Sequence, residues 1–269
     1  MIITALVTPY DEKGKIDYKK VDELLSFQEI NGVDGVVLFG STGEGMLLSM
    51  YEKYRILLIC KKHKKLKMII NVGSNNTMET RKNIKRFSFF KPYAFLVVTP
   101  YYLLPNEEGI IKHYQYLEEY SDFPMIIYNV PSRTSIDLSL ETIKRISKFK
   151  NIIGIKEASK NRYKLKSLSK LNSNDFMVFL GNDEMFVRED NEIDNIISTL
   201  SNVIPNAFIS KDIDKINKYL EMTSLGGNPQ MIKEIMCQKG MIRRDMRLPL
   251  IKLSEEKIYR VKKMMEEIK

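Results

Sequence analysis

The sequence predicts a (β/α)₈, or TIM, barrel with a short helical appendage at its C-terminal end. Apolar runs of strand length recur eight times along the chain, and each is followed by a segment of helical period. The runs are nearly continuous in Val, Ile and Leu, which is typical of parallel strands covered by helices on both faces. An open, doubly wound sheet of eight strands is the competing architecture. Eight βα units in about 220 residues favour the barrel.

The predicted strands follow one another at residues 2–9, 33–40, 67–74, 94–100, 124–131, 151–157, 176–183 and 195–202. Amphipathic helices are predicted between them, most clearly at 17–30, 106–120 and 139–149. In the first of these, the residues that share the buried face are Val21, Leu24, Leu25 and Gln28. Short polar residues that precede helices are the expected N-caps, namely Asp17, Ser49, Thr77, Asn106 and Ser139.

The end of the chain has a different pattern from the rest. After the eighth run the sequence is helical in period throughout, and no low-complexity linker interrupts it. We therefore expect a barrel domain at 1–205 and a C-terminal helical region at 206–269. The second is too short to be expected as an independent domain.

Composition limits the function classes. With 43% apolar and 29% charged residues among 269, the chain has the make-up of an ordinary globular protein. No apolar run approaches the roughly 18 residues of a membrane span, and we expect neither an export signal nor a membrane partner. Only Cys60 and Cys237 are present, so the cytoplasm is the expected compartment. The net charge of +9 is spread over many helical segments, without a nucleic-acid-binding motif. We therefore predict no nucleic-acid partner.

A barrel places its active site at the C-terminal ends of the strands, and four of these ends carry reactive side chains. Lys156 ends the sixth strand, where a poorly solvated ammonium favours the neutral amine that attacks carbonyls. Snorkelling to the rim, or pairing with Glu157, is the structural alternative for this lysine. Tyr128 ends the fifth strand, and its phenol could carry protons if a second hydroxyl hands them on. Such hydroxyls follow the second and fourth strands at Ser41, Thr42, Tyr101 and Tyr102.

Arg133 follows in the loop after strand five and suits a substrate carboxylate, although a structural ion pair is an equal alternative.

Other chemistries lack their residues. His63 and His113 fall in helix-like segments away from strand ends, which leaves a Ser–His–Asp triad without its base. No metal-binding motif is present, so no metal is expected. The glycine cluster at 40–45 lacks both the lysine of a Walker loop and the glycine order of a dinucleotide loop.

Four motifs together resemble one family. "GSTGEG", "VTPYY", "YNVPSRT" and "IIGIKEAS" follow strands two, four and five and occupy strand six, in the order and spacing of the dihydrodipicolinate synthase family. That family lies within the pyruvate-dependent class I aldolases, which include N-acetylneuraminate lyase. The similarity runs to about residue 205 and resumes at "NPQMIKEIM" and "RLPL".

The resemblance implies a reaction and a role for each matched residue. Lys156 would form the Schiff base with pyruvate, which then condenses with L-aspartate 4-semialdehyde in the diaminopimelate and lysine pathway without a separate cofactor. Tyr128, Ser41 and Tyr102 would relay protons, with Tyr102 lent by a neighbouring subunit of a homodimer or homotetramer. The substrate-binding residues would be Thr42 for the pyruvate carboxylate, Arg133 for the carboxylate of the aldehyde, Ile197, whose backbone carbonyl would help to poise the lysine, and Gly181.

Departures from the family leave two alternatives open. Ser41 replaces a usual threonine, the approach to strand eight is the glycine-free "NEIDNIIS", and residues 203–228 are shorter than the corresponding family segment. A sister aldolase acting on a sugar-acid aldehyde, and a degenerate barrel kept as a binding protein, are therefore the competing functions. We also expect feedback inhibition by lysine to be weak or absent. By the same resemblance, Asn75, Glu79 and Tyr101 match the site where lysine-inhibited relatives bind lysine. Met50 and Lys53 stand at the positions where those relatives carry imidazoles. The cation of Lys53 would repel the ammonium groups of lysine.

Overall fold

The computed structural model describes residues 1–268 and confirms the predicted fold class. Eight short parallel strands close into a barrel in the order of the chain. Each strand lies inside a predicted apolar run, and the strands are β1 Ile2–Ala5, β2 Gly35–Leu38, β3 Lys67–Asn71, β4 Ala94–Val98, β5 Met125–Asn129, β6 Ile152–Glu157, β7 Met177–Leu180 and β8 Ile196–Ser198. Most of the predicted runs are longer because they include loop residues that flank the strand, whereas the run for β6 exceeds the strand only by Asn151.

Helices follow the strands and continue beyond the last of them. They are α1 Tyr18–Ile30, α2 Met50–Cys60, α3 Thr77–Phe87, α4 Glu107–Glu119, α5 Pro131–Thr134, α6 Leu140–Ile146, α7 Arg162–Ser169, α8 Asp183–Phe186, α9 Pro205–Ser210, α10 Ile213–Thr223, α11 Gln230–Gln238 and α12 Glu255–Glu267. None of the helices described within residues 1–268 is long and apolar enough to cross a membrane.

Four of the five expected N-caps are confirmed, at Asp17, Ser49, Asn106 and Ser139. The expectation for Thr77 is wrong. Asn76 is the cap, and its side chain accepts hydrogen bonds from two backbone N–H groups of α3. An amide oxygen one residue earlier competes successfully with the threonine hydroxyl, because asparagine is the better capping residue.

The chain divides into two compact units. The first comprises Met1 and residues 67–197, and in it strands β3 to β8 pair in parallel. Its core contains wholly buried side chains from neighbouring strands, among them Phe95, Ile126, Ile155 and Phe179. These strands present the ends of β5 and β6 side by side.

Among the described residues, the second unit comprises 2–66 and 198–268. It pairs β1 with β2 and includes helices α9 to α12. The predicted inner face of α1 is confirmed: Val21, Leu24, Leu25 and Gln28 are its buried residues. Residues 239–254 form no helix, so the expectation of an entirely helical C-terminal region is wrong there. The boundary proposed at residue 205 stays a prediction.

Candidate active site

The ends of β5 and β6 bring a lysine and a tyrosine together. Tyr128 lies opposite Lys156 in the strand register, and both side chains are buried, at 8% and 7% exposure. The Lys156 ammonium nitrogen is 4.4 Å from the centroid of the Tyr128 ring. Because both side chains are buried, the Lys156 amine is poorly solvated, and the face of the tyrosine ring compensates for the lost water only in part.

The neighbouring acid does not pair with this lysine. Glu157 points to the other side of β6, as the alternation of side chains along a strand requires. There its carboxylate accepts hydrogen bonds from the side-chain amide of Asn129 at 2.9 Å and the backbone N–H of Ser159 at 2.7 Å. Its ion-pair partner is Lys164, 3.4 Å away. Within residues 1–268, no carboxylate lies within 4.0 Å of the Lys156 ammonium.

The polar cluster around the Glu157 carboxylate contains a second ion pair. The Lys164 ammonium also contacts the carboxylate of Asp137, which accepts a further hydrogen bond from Asn129 at 2.8 Å. Because Asn129 ends β5 and Glu157 ends β6, the cluster fixes the two strand ends relative to each other. It thereby orients Tyr128 and Lys156, which lie one residue earlier on each strand.

The Gly-rich loop (residues 40–45) follows β2 in the second unit. The turn at residues 39–45 contains two non-glycine residues with positive φ, Phe39 at 64° and Glu44 at 52°. Gly45 is required sterically, since a Cβ there would lie 2.0 Å from the carbonyl oxygen of Phe39. The Thr8 hydroxyl donates to the carbonyl of Gly43 at 2.6 Å and holds the turn from β1. These contacts constrain the conformation of the loop, and such constraint favours the binding of a small ligand.

Glu44 anchors the loop to the C-terminal helices. Its carboxylate forms an ion pair with Lys233 of α11, and both side chains are completely buried. The Lys233 ammonium also donates to the carbonyl of Asp245 at 3.0 Å and lies 4.3 Å from the ring centroid of Tyr10. Burial and the charge of Glu44 raise the pKa of the Tyr10 phenol well above its usual range. This leaves the phenol neutral beside one carboxylate and one ammonium.

Arg247 extends this buried network to the start of α2. Its guanidinium donates two hydrogen bonds to the Glu52 carboxylate, at 2.9 and 2.5 Å, and one to the carbonyl of Leu47 at 3.1 Å. The hydrogen bond from Arg247, helped by the capping contacts of Ser49, lowers the pKa of Glu52 to about 2. A guanidinium that donates two hydrogen bonds to one carboxylate has a specific geometry, so this pair fixes the segment that follows the Gly-rich loop.

Within the Gly-rich loop, Thr42 is nearly inaccessible and Ser41 is half-buried. The side-chain amide of Asn228 donates a hydrogen bond to the Thr42 hydroxyl oxygen at 2.8 Å. The backbone carbonyl of Ser41 accepts from the N–H of Glu44 at 3.2 Å. The C-terminal region therefore contacts the loop at two side chains, Thr42 and Glu44.

The four remaining expected site residues lie on different elements of the fold, and they are Tyr102, Arg133, Ile197 and Gly181. Tyr102 lies in the bend after β4 with φ of 74° and an 85% exposed ring, and Arg133 is exposed in α5. Both are exposed, in contrast to the buried pair of Tyr128 and Lys156. Ile197 is buried within β8, and Gly181 directly follows β7 and donates its N–H to the carbonyl of Glu157 at 2.7 Å.

Neither histidine lies at the end of a strand. His63 is in the turn after α2 rather than in a helix, with its ring nitrogens 2.9 Å from Asp22 and 3.2 Å from Glu29. His113 lies within α4, where burial lowers its pKa to about 4. No cluster of three His, Cys, Asp or Glu side chains that could hold a metal occurs in residues 1–268.

Sequence reasoning missed the residues that support the loop: Glu44, Glu52, Asn228, Lys233 and Arg247. A signal for three of them was present, because Asn228, Lys233 and Arg247 lie in the two C-terminal segments that resemble the family. A lysine within the largely apolar run of α11 was a second signal, since such a side chain needs a buried partner.

A barrel that holds a buried lysine beside a tyrosine near the ends of β6 and β5, with no carboxylate within 4.0 Å of that lysine among residues 1–268, is the arrangement expected of a class of protein, the Schiff-base aldolases of class I. Comparisons identify the family within that class. The family model of the dihydrodipicolinate synthetase family matches residues 1–268, and the chain belongs to this family. It is therefore an enzyme, a lyase of the class I aldolase type.

Relatives of known identity match over nearly their whole length. The chain is 33% identical to the 4-hydroxy-tetrahydrodipicolinate synthase of Fervidobacterium nodosum, over 98% of this chain and 97% of the relative. A structure of the chloride-inhibited dihydrodipicolinate synthase of Acinetobacter baumannii in complex with pyruvate is 30% identical, with a TM-score of 0.90 over 99% and 98% of the two chains. A monomeric dihydrodipicolinate synthase variant is 31% identical, with a TM-score of 0.90 over 99% and 95%.

Proposed function

We propose that this protein condenses pyruvate with L-aspartate 4-semialdehyde to form 4-hydroxy-tetrahydrodipicolinate, through a Schiff base on Lys156. The observation that carries the proposal is the buried Lys156 ammonium, which lies 4.4 Å from the centroid of the Tyr128 ring and has no carboxylate within 4.0 Å among residues 1–268. A structural lysine would pair with an acid, as Lys164 and Lys233 do in this chain. The pyruvate complex of the similar Acinetobacter baumannii enzyme supports pyruvate as the first substrate.

The reaction begins with the neutral amine of Lys156. Its nitrogen attacks the ketone carbon of pyruvate, and loss of water from the carbinolamine gives the protonated imine. The imine withdraws electrons, so the methyl group loses a proton and becomes the carbon nucleophile of an enamine. That carbon attacks the aldehyde of aspartate semialdehyde. The substrate's own amine then displaces Lys156 as the ring closes. The imine is the electron sink, so the chemistry needs no separate cofactor.

Each of these steps moves a proton, and Tyr128 is the nearest hydroxyl-bearing side chain on the neighbouring strand. We assign it the transfer to the carbinolamine and from the methyl group, with Ser41 and Tyr102 as relay partners. Ser41 keeps the hydroxyl that the relay requires, although it lacks the methyl group that restricts a threonine rotamer.

Tyr102 would act in a neighbouring copy of the chain. Its ring is 85% exposed, and the next two residues, Leu103 and Leu104, are 71% and 58% exposed. Three successive exposed apolar side chains in a loop are typical of an interaction surface. This supports a homodimer or homotetramer. Because one similar protein is a monomeric variant, the association state is to be measured directly, by light scattering.

The two substrate carboxylates need separate partners. We assign the pyruvate carboxylate to the hydroxyl and backbone N–H of Thr42, and the carboxylate of aspartate semialdehyde to the exposed guanidinium of Arg133. The backbone groups of Ile197 and Gly181 complete the substrate-binding set. The constrained conformation of the Gly-rich loop supports the role of Thr42, since a fixed donor loses little freedom when it binds.

Steady-state turnover with different aldehydes tests the proposal. The purified protein should consume aspartate semialdehyde with pyruvate and leave sugar-acid aldehydes unchanged, and Lys156→Ala should abolish turnover. Lys160→Ala is the matched control, because Lys160 is exposed four residues further on and pairs with Glu184 at the surface. Preference for a sugar-acid aldehyde would identify a sister aldolase. Failure with every aldehyde would identify a degenerate barrel.

A further inference from the structure

The Thr42 hydroxyl has a hydrogen-bond partner that lies outside the Gly-rich loop. Asn228 lies 186 residues away in the chain, two residues before α11, and its side-chain amide nitrogen donates to the Thr42 oxygen at 2.8 Å. Thr42 is 4% exposed, so water has little access to this oxygen. The contact is therefore a fixed feature of the loop.

This contact sets the direction of the Thr42 hydroxyl. A hydroxyl has one proton to donate and lone pairs with which to accept. Since the oxygen accepts from Asn228, its proton is left to point elsewhere. An ionised carboxylate only accepts hydrogen bonds, so it requires a hydroxyl in this donating orientation.

The position of Asn228 is itself secured. Lys233, on the helix that begins two residues later, forms the buried ion pair with Glu44 of the same Gly-rich loop. The loop and the start of α11 are therefore joined at two points, one ionic and one a directional hydrogen bond. The ionic contact holds the loop in place, whereas the amide determines what Thr42 offers to a ligand.

We propose that Asn228 is a positioning residue that fixes the Thr42 hydroxyl as a hydrogen-bond donor to the carboxylate of pyruvate. The inference rests on the proposed function, because it takes pyruvate as the ligand of Thr42. It adds a residue of the C-terminal helical region to the determinants of pyruvate affinity. Asn228 acts through Thr42 and moves no proton of the reaction.

Asn228→Asp tests the proposal most sharply, because aspartate keeps the shape but replaces the donor by an acceptor. Thr42 would then donate its proton to Asp instead of to pyruvate. We expect KM for pyruvate to rise about tenfold or more, as loss of a hydrogen bond to a charged group implies. The kcat at saturating pyruvate and KM for aspartate semialdehyde should change less than threefold. Asn228→Ala removes the donor without reversing it and should give a smaller rise in KM.

Asn206 provides the matched control, since its side-chain amide also donates to a side-chain oxygen, that of Asn31, at 2.7 Å. Asn206→Asp should leave KM for pyruvate unchanged, and thermal midpoints of all variants report folding. If Asn228→Asp fails to fold, Asn228→Ala decides. An unchanged KM for pyruvate, or a fall in kcat with an unchanged KM, would overturn the proposal.

The proposed function itself is checked on the unsubstituted protein by borohydride reduction with pyruvate. If the unsubstituted protein is not trapped, the proposed function fails. If it is trapped but the Asn228 variants bind pyruvate normally, only the role of Asn228 fails.

Discussion

Lys233→Met should strongly destabilise this protein, because it leaves the Glu44 carboxylate buried without its cation. Both side chains are fully buried, and the lysine also satisfies the carbonyl of Asp245. Breaking a buried ion pair by removing one partner costs about 3 to 5 kcal/mol. For a domain of roughly this size, each kcal/mol lowers the thermal midpoint by about 2 to 4 °C. The midpoint should therefore fall by about 6 to 20 °C, measured by circular dichroism.

Two further variants make this prediction refutable. Glu44→Gln combined with Lys233→Met removes both charges, so the double variant should recover a large part of the lost midpoint. Lys20→Met removes an exposed partner of Glu23 and should leave the midpoint unchanged within error. A Lys233→Met protein as stable as the parent, or a double variant no better than the single one, would contradict the view that this pair anchors the Gly-rich loop.

Three further predictions concern regulation, pH dependence and catalysis. The expected lack of strong feedback inhibition rests on Lys53, whose cation would repel the ammonium groups of lysine. Sub-millimolar lysine should therefore not halve the activity, and an inhibition curve that reaches half in that range would refute this. The pKa of Glu52 is about 2 in the folded protein against an ordinary 4.5, so its ion pair with Arg247 contributes stability above pH 4.5 that is lost as pH falls towards 2. Glu52→Gln should flatten that part of the pH–stability profile, and an unchanged profile would contradict the assignment. Tyr128→Phe should lower kcat about 10²- to 10⁴-fold, the usual effect of losing a proton-transfer group, and near-normal kcat would exclude Tyr128 from the relay.

The fold was predictable because its elements are local. Each strand needs only a short apolar run, and each helix needs a 3.6-residue period, so eight runs with helical segments between them sufficed to predict the barrel. The position of Lys156 at the end of β6 followed from the same pattern. The alternation along β6 then explains a fact that the sequence left open: Lys156 and its neighbour Glu157 face opposite sides and do not pair.

The supporting contacts could not be predicted, because they join residues far apart in the chain. Glu44 and Lys233 are 189 residues apart, and Glu52 and Arg247 are 195 residues apart. Charge alone does not select these partners among 43 basic and 34 acidic residues. The irregular segment at 239–254 was also missed. The part-buried hydrogen bonds of Arg247 and the hydrogen bond from Lys233 to the carbonyl of Asp245, rather than a periodic pattern, stabilise it.

Reduction of the protein with borohydride in the presence of pyruvate, followed by peptide mass spectrometry, tests the central claim most directly. A single reduced pyruvate adduct should form on Lys156, while Lys164 and Lys233, which are buried but paired with carboxylates, should remain unmodified. Omission of pyruvate should abolish the adduct. Absence of an adduct on Lys156, or its appearance on another lysine instead, would contradict the Schiff-base mechanism proposed for this barrel.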